Sequence, residues 1–262
     1  MNFKTLEAPT IISVVLLLLV GTANADGTVT DDIRITSDVL GYDLQYRIYL
    51  PEGYDSRVEH PVIFLTDGQN YLSRSRGRIV PILDRLISDG EIEPVIAVFV
   101  DARDPDDLRS NRRNAQFFCN VDYLNFYSDE LIPTVEEDYP VVPSREGRTI
   151  MGYSFGGTNA ACFGALGNDF FSGIAMQSPA NHPLPNLLPT YQEMPTLPLR
   201  IFLSTGKPDD NVRDNRRFHT VLKDKGYNME YVEVRKDHDW DNWRPLIDDV
   251  LLFFYGTDDQ DL

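Results

Sequence analysis

Basic side chains are scarce in this chain: 24 lysines and arginines face 41 aspartates and glutamates, for a net charge of −17. A nucleic-acid partner needs cations to neutralise phosphate, so this balance excludes one, and the acidity itself reads as a well-solvated surface. Membrane-length apolar runs are missing as well. The run from Ile11 to Val20 is ten residues long, well short of the roughly 20 that a spanning helix requires. Lys4 precedes it and Ala23-Asn24-Ala25 follows, so residues 1–25 read as a secretory signal peptide cleaved before Asp26, with no stable membrane insertion afterwards. The destination is periplasmic or extracellular. No repeat, low-complexity segment or linker divides the remainder, so 26–262 reads as one domain with a sizeable core. Two cysteines, Cys119 and Cys162, allow at most one bridge. Export permits it, yet Cys162 falls in a helical stretch where a small buried thiol is the expected state.

What is present alternates. Leu44 to Leu50 reads as a strand ended by Pro51-Glu52-Gly53, and Pro61 to Leu65 and Pro94 to Val100 are near-continuous apolar runs suited to strands buried on both faces. Helical spacing links Ile79, Ile82, Leu83, Leu86 and Ile87, and a second helix is expected over Tyr123 to Tyr139, kinked or subdivided at Pro133. Further strands are expected at Phe171 to Met176, Leu199 to Leu203 and Glu230 to Val234, and further helices at Asn211 to Gly226 and Trp243 to Phe254. Strand alternating with helix implies an α/β domain with an open, doubly wound, mostly parallel sheet flanked by helices, whose ligands bind beyond the carboxyl ends of the strands. Asp101 to Asn114 and Ala180 to Pro198 show no periodicity and read as loops over that site.

One stretch carries chemistry. An apolar run ending at Met151 meets Gly152-Tyr153-Ser154-Phe155-Gly156, and a helical pattern follows. A serine at the apex of a strand–turn–helix needs flanking residues without bulk, and Gly152 and Gly156 supply that. Such a turn presents the hydroxyl and leaves the Phe155 N–H facing a developing oxyanion. A serine hydroxyl is a poor nucleophile by itself, so a histidine and an orienting carboxylate should follow in the order Ser, Asp or Glu, His. His219 lies inside a helical pattern, whereas His238 follows the last strand and is the expected base. The acid is expected on the loop Ser204-Thr205-Gly206-Lys207-Pro208-Asp209-Asp210, where Asp209, three residues past Gly206, is preferred over Asp210. Asp237 and Asp239 read as solvated loop charges, and His60 as structural. A second oxyanion donor is expected from the loop Thr66-Asp67-Gly68-Gln69-Asn70: the N–H of Gln69, with Gly68 allowing close approach.

With these pieces in place, the segments RIYLPEGYD, VIFLTDGQNYL, DELIPTVEEDYP, GRTIMGYSFGG and DHDWDNWRPLI resemble the putative-esterase family of α/β-hydrolases. That group includes esterase D, feruloyl esterase modules, siderophore esterases and the antigen 85 acyltransferases. The resemblance runs from about Leu40 to the last helix. It implies an α/β-hydrolase fold and carboxylic-ester hydrolysis without a cofactor or metal. Ser154, Asp209 and His238 take the triad roles, and Gln69 and Phe155 form the oxyanion hole. Asp237 stands where the family often has glycine. An arginine and an acid common before the ELIP helix are matched only by Arg112 or Arg113, with Gln116 near the acid's place. Asp67, Arg113, His182 and Trp240 are the candidates for binding a small-molecule or carbohydrate-linked ester. The same elbow would serve acyl transfer to a sugar or lipid hydroxyl. A binding protein that keeps the fold without the chemistry is the reading from another class, and the intact Ser, Asp, His order argues against it.

Overall fold

The structure, a computed structural model, describes residues 26–257; the expected signal peptide lies outside the described residues. Two short strands, β1 (Thr28–Val29) and β2 (Ile33–Ser37), precede the long β3 (Tyr42–Leu50) and β4 (Val62–Thr66). After helices α1 (Gly68–Leu72) and α2 (Ile79–Ser88) come β5 (Ile96–Asp101), a hairpin of β6 (Arg103–Asp104) and β7 (Asp107–Asn111), and helices α3 (Arg113–Gln116), α4 (Val121–Phe126) and α5 (Ile132–Asp138). The second half runs β8 (Arg148–Tyr153), α6 (Phe155–Leu166), β9 (Gly173–Gln177), α7 (Leu187–Glu193), β10 (Arg200–Gly206), α8 (Val212–Asp224) and β11 (Asn228–Val234). It closes with α9 (Trp240–Trp243) and α10 (Ile247–Tyr255).

The main sheet has the order β1-β3-β5-β4-β8-β9-β10-β11, with β2 also paired to β3. From β5 to β11 all neighbours are parallel, while β1, β2 and β5 run antiparallel to β3. The expected α/β-hydrolase architecture, a mostly parallel sheet flanked by helices, is therefore present. Its cause is visible in single strands. Successive side chains of a strand point to opposite faces, so in β4 Phe64 packs with Val98, Ile150 and Tyr127 on one side, while Ile63 and Leu65 pack with Ala97, Met151 and Leu83 on the other. A strand covered twice can hold almost no polar residue, and each of the five residues of β4 is buried.

Two segments depart from expectation. Asp101 to Asn114 is a hairpin and a short helix, fixed by charge pairing: Arg103 to Asp101 at 2.6 Å, with Arg112 on Asp104. Pairing of that kind leaves no apolar period to read. Ala180 to Pro198 contains α7, anchored through the buried Tyr191, whose hydroxyl donates to the Ala161 carbonyl at 2.8 Å; Pro189 sits in the first turn, where its missing N–H costs nothing. The helix over Tyr123 to Tyr139 is subdivided as expected, and the device is a π-helical turn at Tyr127–Leu131, because Pro133 has no N–H for the carbonyl four residues back.

Candidate active site

Strand β8 ends at Tyr153 and helix α6 begins at Phe155, so Ser154 alone makes the corner, at φ 54° and ψ −121°. A non-glycine residue with positive φ is strained, and neighbours must hold it there. The Ser154 N–H donates to the Gln177 carbonyl at 2.8 Å, and the Ser154 carbonyl accepts from the Ala180 N–H at 3.2 Å. Both glycines of the motif are required by the close crossing. A Cβ on Gly152 would lie 2.3 Å from the Gly156 carbonyl, and one on Gly156 2.7 Å from Thr66 Oγ1.

The loop after β11 brings His238 to this corner. Its Nε2 lies 2.8 Å from Ser154 Oγ, and its Nδ1 lies 2.6 Å from Asp210 Oδ1. The carboxylate is thus Asp210 and not the expected Asp209, which is exposed. Counting residues from Gly206 misleads because β10 continues through Gly206 before the chain bends. The bend folds Asp210 back beneath the strand end, where it accepts from the N–H groups of Gly206 and Asn211, each at 2.6 Å. Burial works to raise the Asp210 pKa, but hydrogen bonds from His238, Ser178, Gly206 and Asn211 outweigh it and lower it to about 2. The group is therefore an anion at neutral pH.

Two supporting residues escaped the sequence reading. Asn242, buried at the start of the final helical segment, puts its Nδ2 3.2 Å from Asp210 Oδ2, 3.2 Å from Ser178 Oγ and 3.0 Å from the Asp237 carbonyl. Ser178, at the end of β9, also accepts from Trp243 Nε1 at 3.0 Å. Asp237 thus supports the histidine loop through its backbone. The Trp243 ring meets the His238 imidazole edge-on, with centroids 5.0 Å apart. The only sequence signal for Asn242 was its place between Trp240 and Trp243, an amide among residues that pack.

The loop after β4 turns at Asp67, φ 55° and ψ 36°, directly before α1. Gly68 passes so close to β5 that a Cβ there would stand 2.4 Å from the Phe99 carbonyl carbon. Gln69 and Phe155 are the second residue of α1 and the first of α6, positions whose N–H has no acceptor within the helix. Asp67 does not face a ligand as expected of a substrate-binding residue: it is completely buried and accepts from Arg113 Nε at 2.8 Å. Burial raises its pKa to about 6, although Arg113 pulls the other way.

The other candidates lie around Phe155. The Arg113 guanidinium sits 5.4 Å from the Tyr153 ring and 5.6 Å from those of Phe117 and Phe155. The His182 ring is 5.6 Å from that of Phe155 and helps line a cavity of about 220 Å³ with Asn181, Leu184, Pro185, Leu188 and Phe218. Trp240 meets Tyr71 and Tyr153 edge-on at 5.3 and 4.8 Å. Phe118 caps the Phe155 ring at 4.8 Å. The buried thiol expected at Cys162 is a disulfide to Cys119 instead. Phe118 and Cys119 both take positive φ, 65° and 58°, and this turn delivers Cys119 to helix α6, a reach that no spacing in the sequence reveals.

A parallel sheet with a serine at a strand–helix corner, a histidine on the loop after the last strand and a carboxylate behind it is the arrangement of an α/β-hydrolase. The family model described as "Putative esterase" matches residues 37–254, and the chain belongs to that family. The uncharacterized protein YjcH of Bacillus subtilis is 27% identical over 241 residues, covering 87% of this chain and 98% of its own. The endo-1,4-beta-xylanase/feruloyl esterase of Xylanibacter ruminicola is 24% identical over 82% of this chain but only 30% of its own length. Among solved structures, a ferulic acid esterase superposes with a TM-score of 0.76 at 22% identity, covering 88% of this chain and 99% of its own. The enterobactin esterase of Shigella flexneri does so with a TM-score of 0.76 at 23% identity, covering 86% and 58%.

Proposed function

We propose that the protein is an exported serine esterase that works through an acyl-enzyme. The observation that carries this reading is the continuous chain from Ser154 Oγ to His238 Nε2 and from His238 Nδ1 to Asp210, at 2.8 and 2.6 Å. With the Nδ1 proton donated to Asp210, Nε2 is free to accept the serine proton as Oγ attacks the ester carbonyl carbon. The carbonyl oxygen becomes an oxyanion, and the N–H groups of Phe155 and Gln69 are the donors aimed at it. When the tetrahedral intermediate collapses, the carbon–oxygen ester bond breaks and His238 returns the proton to the departing alcohol. Water then enters by the same route, losing its proton to His238, and the carboxylic acid leaves Ser154 intact. Asp210 stays ionised throughout and stabilises the imidazolium.

The substrate class is a small or carbohydrate-linked carboxylic ester. His182 and Phe118 against Phe155, and Trp240 against Tyr153, support that reading, as do the feruloyl and enterobactin activities named for related chains. Export rests on the signal-like residues 1–25 and is consistent with the Cys119–Cys162 bond, since structural disulfides persist in oxidising compartments. Ser154→Ala should cut p-nitrophenyl acetate turnover by on the order of 10⁴-fold or more. An unchanged rate, or failure of a fluorophosphonate to label Ser154 in the wild-type protein, removes the assignment.

A further inference from the structure

An aspartate immediately before a helix ordinarily turns its carboxylate onto the second or third N–H of that helix. Asp67 occupies that position before α1, yet its side chain caps nothing. The third N–H, that of Asn70, is taken by the Asp67 carbonyl at 2.8 Å. The second belongs to Gln69. Oδ2 of Asp67 is drawn under the serine corner, 3.5 Å from where a Cβ on Gly156 would stand, and accepts from Arg113 Nε at 2.8 Å; Oδ1 is buried without a partner.

We infer that Arg113 is a positioning residue: by holding the Asp67 carboxylate under the elbow, it keeps the Gln69 N–H uncapped and available to the oxyanion. The inference rests on the oxyanion role given to Gln69 above. Among the described residues, Arg113 is the only group that hydrogen-bonds this carboxylate. The other groups acting on it do so electrostatically and at longer range: Arg76 from beyond α1, Asp101 at the end of β5, and Tyr71, Tyr153, Tyr123 and Tyr127. Without the guanidinium, an acid with no exposure must find another donor or take up a proton. The Gln69 N–H, two residues along its own chain and uncapped, is such a donor, and a carboxylate seated there occupies the place of the oxyanion. The enzyme would then be inhibited by its own loop.

The test is a rescue experiment with p-nitrophenyl acetate on the mature chain. Arg113→Gln should lower kcat by about 10- to 100-fold, toward the loss seen when one oxyanion donor is removed, with KM changed less than about threefold. Asp67→Gly in the same protein removes the competing carboxylate while tolerating the left-handed corner, and should restore at least about tenfold of the lost kcat. Arg113→Lys, which keeps a cation beside Asp67, should stay within about tenfold of wild type and carries the comparison should the glutamine variant not fold. A double variant as slow as Arg113→Gln, or a single variant that raises KM and leaves kcat alone, overturns the inference and makes Arg113 a substrate contact. Fluorophosphonate labelling of wild-type Ser154 separates this failure from failure of the hydrolase mechanism itself.

Discussion

Two aspartates lie beside the serine corner, both with side chains closed to solvent, and burial alone would push both pKa values upward. Asp210 is nevertheless held at about 2, while Asp67 rises to about 6. The difference lies in depth and in the number of donors: Asp67 is the more deeply buried and has the fewer. Asp210 accepts from the His238 ring, two backbone N–H groups and neighbouring side chains, enough to replace its lost hydration. Asp67 has one donor, Arg113, and one oxygen with none. The outcome is opposite electrostatics: a permanent anion behind the histidine, and a more deeply buried carboxylate whose charge depends on a single guanidinium. What separates them is the backbone, since Asp210 closes a bend whose Gly206 and Asn211 N–H groups point inward, whereas Asp67, at a left-handed corner, takes its one hydrogen bond from Arg113.

The sharpest test of this contrast is turnover. Asp210→Asn should reduce kcat on p-nitrophenyl acetate by about 10⁴-fold, the scale seen when a triad aspartate becomes an amide. Asp209→Asn, one position away and exposed, should leave kcat within about twofold. Equal losses in the two variants would mean that the bend does not select between them.

A smaller effect distinguishes the two carboxylates by sign. For Asp210 the folded pKa lies below the unfolded one, so its contribution to stability is present above about pH 4 and is lost as pH falls toward 2. A shift of this size is worth on the order of 2 kcal/mol. For Asp67 the folded pKa lies above the unfolded one, so its contribution is present below about pH 4 and is lost as pH rises through about 6. Urea midpoints measured from pH 3 to 7 should therefore show a declining component between 4 and 6 that disappears in Asp67→Asn. If that variant keeps the full decline, some other group is responsible.

The same contrast explains what could be read from the residues alone. Buried parallel strands announce themselves as apolar runs, and the elbow and His238 follow from local chemistry: glycines where backbones cross and a histidine after the last strand. Asp209 and Asp210 are indistinguishable by composition, and only the direction of a four-residue bend separates them. The Asp67–Arg113 pair joins residues 46 positions apart, and the hub at Asn242 reaches back 64 positions to Ser178. No periodicity encodes such contacts, because they depend on where separate strand ends converge. The charged hairpin at 103–111 was unreadable for the opposite reason: ion pairs hold it, and they impose no pattern of apolar residues.

The disulfide between Cys119 and Cys162 has a topological consequence as well. It closes a covalent ring whose two cysteines are 43 positions apart in sequence, and Ser154 with both elbow glycines lies inside that ring. A single proteolytic cut anywhere between the two cysteines, including the surface turn at 143–146, opens the ring without producing two pieces. Ser154 stays fastened to the rest of the molecule from either side. That arrangement turns a severing cut into a nick.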